Sequence, residues 1–189
     1  MFFNLFALTG SCACSQREHD LHTKRDILNF GKSGGARNHI TSQTYHMPEE
    51  YNLHRFLTAQ APTYHTVLAE LQAGRKSSHW IWFIFPQIAG LGHSAMTQQF
   101  ALSTLDEAKA YLQHPVLGER LRECTQLVLN IEGRSADEIF PYPDNLKFRS
   151  CMTLFMTAAP DNTLFKAALA KYFDGRPDQR TLDILAGPE

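Results

Sequence analysis

The sequence predicts an all-α fold, a compact multihelical single domain with short connecting loops. Three observations lead there. From Leu53 onward, apolar residues recur at three- and four-residue spacing, the mark of helices that bury one face. Prolines, glycines and Ser/Thr/Asp residues in capping positions separate these periodic segments. Period-two alternation over a strand-length stretch is not found, and helix lengths and caps vary too much for a solenoid repeat.

Taken in order, Leu53, Phe56 and Leu57 mark a first helix, and Tyr64, Val67, Leu68 and Leu71 a second that begins at Pro62 and stops at Gly74. The run Ser78-His79-Trp80-Ile81-Trp82-Phe83-Ile84-Phe85-Pro86-Gln87 follows. Taken alone, its apolar centre suits a strand or a helix; its helical surroundings favour a helix, ended by Pro86. Ser94 is placed to cap a helix reaching Leu102, and Thr104 with Glu107 has capping-box spacing ahead of Leu105, Ala108, Tyr111 and Leu112. Pro115 opens a helix whose stripe is Leu117, Leu121, Cys124, Leu127, Val128 and Ile131, stopped by Gly133. Ser135 and Glu138 repeat the capping-box pattern. Asp144 is expected to cap a helix through Phe155 that ends at Pro160. Asp161 or Asn162 caps the next, running to Gly175, and a short last helix carries Leu182 and Leu185.

At 189 residues the chain suits one domain with a sizeable core. A formal net charge of −1 argues against a generally cationic nucleic-acid or membrane-surface binder. No stretch reaches the ~20 apolar residues of a membrane-spanning helix. Cys124 and Cys151 fall in apolar helical patterns and read as small core residues of a reduced, cytoplasmic protein. No cysteine or histidine spacing suggests a metal, and no cofactor motif is present. Residues 1–46 are polar and aperiodic after a short apolar start. They read as a disordered N-terminal extension, consistent with a misplaced start codon, before a helical domain at 47–189.

Three polar groupings bear on chemistry. His79 and Gln87 bracket the aromatic run; His79 suits acid–base work or a core-edge hydrogen bond. His114 lies near the end of one helix, where a cation is favoured by the backbone dipole. Asp144-Asn145-Leu146-Lys147-Phe148-Arg149-Ser150 opens a helix, so free N–H groups with Lys147 and Arg149 would suit an anion. In the structural alternative, Asp144 and Lys147 form an ordinary i,i+3 surface pair.

The segments Ser78 to Gln87, His114-Pro115-Val116-Leu117-Gly118-Glu119-Arg120-Leu121 and Lys147-Phe148-Arg149-Ser150-Cys151-Met152-Thr153-Leu154-Phe155 resemble the signature of the DUF1810 family. The resemblance runs from about Asn52 to Leu185, and departs from the family's common serine at Cys151. It implies a multihelical, all-α fold of bacterial type with no established activity. Some members carry the label calpastatin, although that inhibitor is a long disordered chain. A looser similarity in helical pattern points to the NADAR group and its ADP-ribose and riboflavin-pathway chemistry.

The leading functional expectation is a small anionic or nucleotide-like ligand in an aromatic cleft. Trp80, Trp82 and Phe85 would form its wall, Gln87 would read a polar edge, and Lys147 with Arg149 would hold the anion. A second expectation is an enzyme hydrolysing an N-glycosidic bond of a nucleotide or ADP-ribose-type substrate, with His79 or Asp144 as acid or base. The third is a protein-interaction module whose motifs serve packing only.

Overall fold

The computed structural model describes residues 51–187. The proposed extension at 1–46, with Cys12 and Cys14, lies outside the described residues. Ten helices make up the described chain, which has no strand. They are α1 (His54–Gln60), α2 (Tyr64–Gln72), α3 (Ile81–Ile84), α4 (Ala95–Gln99) and α5 (Leu105–Gln113), then α6 (Leu117–Asn130), α7 (Ala136–Ile139), α8 (Asp144–Ala158), α9 (Thr163–Phe173) and α10 (Gln179–Ala186). The domain is all-α, as its periodicity indicates.

Helix α8 is the axis of the fold. Its residues Ser150 to Phe155 are all buried, so it is enclosed on every side rather than along one stripe. Helices α9, α5, α10, α3 and α7 pack around it, while α6 lies against α9, α5, α2 and α3. Phe85, Phe140 and Phe148 form an aromatic knot at its first turns, with Phe140 stacked on Phe148 at 4.8 Å between centroids. Cys124 and Cys151 are buried in this core. Among the described residues no helix is long and apolar enough to cross a membrane.

The caps explain most helix starts. The Ser94 and Thr104 side chains accept from the Thr97 and Glu107 amides, and Ser135 with Glu138 forms a complete capping box. Gly74 ends α2 at φ 72°, a conformation that suits glycine.

Four local expectations are corrected. The aromatic run is helical only over Ile81–Ile84; after Pro86 the chain extends, and Ile88 forms an isolated parallel bridge with Leu102. That bridge also stops α4 at Gln99, short of Leu102. Asp144 is the first residue of α8 rather than its cap, because its carboxylate is held by two lysines. His114 does not act as a cation at the end of α5. Its Nδ1 accepts from the Val116 and Leu117 amides at 3.2 and 3.3 Å, which requires an unprotonated nitrogen.

Candidate functional site

Glu70 on α2 fixes the approach to the aromatic run. Its carboxylate accepts from the Ser77 amide and hydroxyl, the Ser78 amide and Trp80 Nε1. Trp80 is thereby turned into the core, and Phe85 joins it there; neither offers a face to solvent. His79, just before Trp80, is exposed. Trp82, on the other side of α3, is half-buried. The Lys147 ammonium sits 4.6 Å from its ring centroid. Its indole Nε1 is buried without a partner among the described residues.

The extended chain after Pro86 delivers Gln87 to α8. Its main-chain carbonyl is pinned by the Leu102 amide at 2.9 Å, and its side-chain Nε2 donates to Ser150 Oγ at 2.5 Å. Ser150 Oγ in turn lies within reach of the Leu146 and Lys147 carbonyls one turn back. Lys147 and Ser150 stand at i,i+3 and so share a face of α8.

On that face, Asp144 carries two salt bridges. Oδ2 meets Lys76 Nζ and Oδ1 meets Lys147 Nζ, each at 2.6 Å. Burial works upward on the Asp144 carboxyl, but hydrogen bonds from both lysines outweigh it and hold the group below its usual range. Lys76 is buried, and its ammonium lies 5.3 Å from the Trp80 ring. Two ammonium groups on one carboxylate leave the cluster with one positive charge in excess.

A pocket of about 320 Å³ opens beside this cluster. Gln87, Lys147 and Ser150 line it with Leu91, Pro143 and Arg180. Trp80, Trp82, Phe85 and His79 are not part of the lining, and Asp144 and Lys76 meet the pocket only through Lys147.

Arg149 belongs elsewhere. Two positions along a helix turn a side chain by about 200°, so Lys147 and Arg149 face opposite ways. Arg149 donates from Nε and Nη2 to the Arg176 and Pro177 carbonyls, each at 3.1 Å. It borders a separate hollow of about 220 Å³ with Phe173. The structure therefore brings only Gln87 and Lys147 of the expected residues to the pocket; Trp82 and Asp144 contact Lys147 outside the lining, and Trp80, Phe85, His79 and Arg149 lie away from it.

Lys76, Ser150 and Arg180 are the site residues missing from the sequence reading. Ser150 stands three residues after Lys147 on a predicted helix, and that spacing was the available signal. Lys76 lies in an aperiodic linker and carried none. Among the described residues, no group of three His, Cys, Asp or Glu side chains is placed to hold a metal ion.

The sequence model of a family described as "Protein of unknown function (DUF1810)" matches residues 50–185. The chain belongs to the DUF1810 family. The pocket thus lies wholly within the DUF1810 region. The domain is also similar to a solved structure, the conserved hypothetical protein Rv1873 from Mycobacterium tuberculosis. The two are 53% identical with a TM-score of 0.72, over 73% of this chain and 99% of the other. No curated protein matches the sequence significantly.

Proposed function

We propose that this DUF1810 domain binds a small organic anion in the pocket formed by the Gln87 segment, the first turns of α8 and the start of α10. The observation that carries the reading is the sharing of one carboxylate, Asp144, by Lys76 and Lys147. A half-buried excess charge is costly unless a counter-charge meets it. Lys147 presents its charge to a pocket where Gln87 and Ser150 add polar groups and Leu91 and Pro143 an apolar wall. A few polar groups on an apolar wall suit a compact organic ligand, and about 320 Å³ is at the small end for such sites.

Binding is better supported than hydrolysis. An acid–base catalyst needs a carboxyl free to exchange a proton. Asp144 is held ionised between two lysines, and Asp178 in the same lining caps α10 through Thr181.

The test uses the two tryptophans as reporters. ¹⁵N-labelled protein is titrated with inorganic phosphate, AMP, ADP-ribose and benzoate while the two indole N–H resonances are followed. The Trp82 signal should move on binding, while that of Trp80, bonded to Glu70, stays put. A ligand at a hundred times its Kd should also add about 2.7 kcal/mol of stability. Lys147→Gln should abolish the response and leave the Trp80 resonance in place. A wild-type protein that responds to none of the four compounds sinks the reading.

A further inference from the structure

Arg180 borders the pocket from α10, beside Asp178 and at least thirty positions from the rest of the lining. Its guanidinium takes no part in the ion pairs found among the described residues. The segment leading to α10 is tied down at several points. Arg149 holds the Arg176 and Pro177 carbonyls, and the Asp178 amide donates to Thr153 Oγ1 at 2.8 Å. Asp178 then caps α10 by accepting from the Thr181 amide and hydroxyl. Beyond the cap, a Cβ on Gly90 would stand 3.4 Å from Ile184 Cδ1, so α10 also touches the loop that lines the pocket. One helix, α8, thus supplies Lys147 on one face and anchors the Arg180-bearing segment with its opposite face.

We infer that Arg180 is the second cationic contact for the bound anion, and that Arg149 is a positioning residue that sets where Arg180 stands. The inference rests on the anion-binding reading above and adds the chemistry of the ligand. A planar guanidinium opposite an ammonium selects an oxyanion able to accept a forked pair of N–H donors, a phosphate or a carboxylate. The compact pocket requires it on a small body. Arg149 does not touch that ligand, because it lines a separate hollow and its Nε and Nη2 bond the Arg176 and Pro177 carbonyls.

The experiment is a double-mutant cycle on the full-length chain, with AMP as the phosphate probe and benzoate as the carboxylate probe. For a probe that wild type binds, Arg180→Ala should weaken affinity by about tenfold or more, the loss of one charged hydrogen bond. Arg149→Ala should weaken it to a similar degree although it removes no group from the pocket. Arg149→Ala combined with Arg180→Ala should bind no worse than Arg180→Ala alone, because Arg149 acts only through Arg180. An additive double mutant overturns the positioning role. Arg180→Ala with wild-type affinity, while Lys147→Gln still loses binding, overturns this inference and spares the anion reading. A wild type that binds neither probe overturns both.

Discussion

Glu70 accepts four hydrogen bonds from the strap between α2 and α3, the one from Trp80 Nε1 at 2.7 Å. Burial works upward on its carboxyl, but the Ser77, Ser78 and Trp80 donors outweigh it and bring the group from 4.5 down to about 2. The unfolded chain takes up this proton near pH 4.5 and the native chain only near 2. The stability Glu70 contributes is therefore complete above pH 4.5 and drains away as the pH falls towards 2. Glu70→Gln should cost about 2 kcal/mol at neutral pH, since the amide loses the charge and turns a donor towards other donors. Urea denaturation of both proteins at pH 7, 4 and 3 checks this. The gap between them should narrow with acid, and a pH-independent gap would remove the carboxylate from the account. The same bonds decide which way the tryptophans face: Trp80 follows Glu70 into the core, and Trp82, two residues on, is left beside Lys147.

At the scale of elements, the junction of α5 and α6 shows how tightly the helices are coupled. A Cβ on Gly118 would stand 1.9 Å from the Leu112 carbonyl oxygen, so the helices meet where only glycine fits. His114 spans the junction with an unprotonated Nδ1 accepting the amides of Val116 and Leu117 at the start of α6. Burial holds its pKa below 6.5. The native imidazole therefore resists a proton that the unfolded chain accepts near pH 6.5, and stability falls as the pH drops below that value until the native ring titrates too. His114→Asn, which keeps a side-chain acceptor, should match wild type at pH 8 and lose this particular decline between pH 6.5 and 5. Thermal midpoints across that range are the measurement, and an unchanged slope would deny His114 the role. Elements of this kind were legible in sequence wherever the signal was local. Ser94, Thr104 and Ser135 announced their helices because a cap acts within one turn. The aromatic run was not, because its extended end depends on Leu102, which is distant in the chain. Gln87 and Lys147 stood out as polar groups in apolar motifs. Arg180 did not, since nothing in a short amphipathic helix says which cavity its charged face will border.

Across the whole molecule, one buried amide joins four helices. Gln60 at the end of α1 donates from Nε2 to the Phe83 carbonyl of α3 at 2.7 Å and to the Tyr111 hydroxyl of α5 at 3.1 Å. Its Oε1 accepts from Arg120 of α6 at 3.1 Å. Arg120 also lies 4.3 Å from the centroid of the Tyr64 ring, whose hydroxyl donates to Glu123. Gln60 and Tyr111 both bond the Phe83 carbonyl of α3, the helix that also packs on α8 and leads into Gln87. Gln60→Leu keeps the volume but leaves a carbonyl without its shortest bond and a guanidinium without an acceptor. Unpaired buried groups cost about 1–3 kcal/mol each, so the variant should lose roughly 3 kcal/mol or more. Tyr111→Phe removes a hydroxyl whose two neighbours keep each other, since Gln60 still bonds the Phe83 carbonyl; its loss should be nearer 1 kcal/mol. Denaturant unfolding with unchanged m-values reads both numbers. If the two variants cost the same, Gln60 is one contact among many. If Gln60→Leu costs several times more and also shifts the Trp82 indole resonance, the hub holds both the fold and the Trp82–Lys147 contact in register.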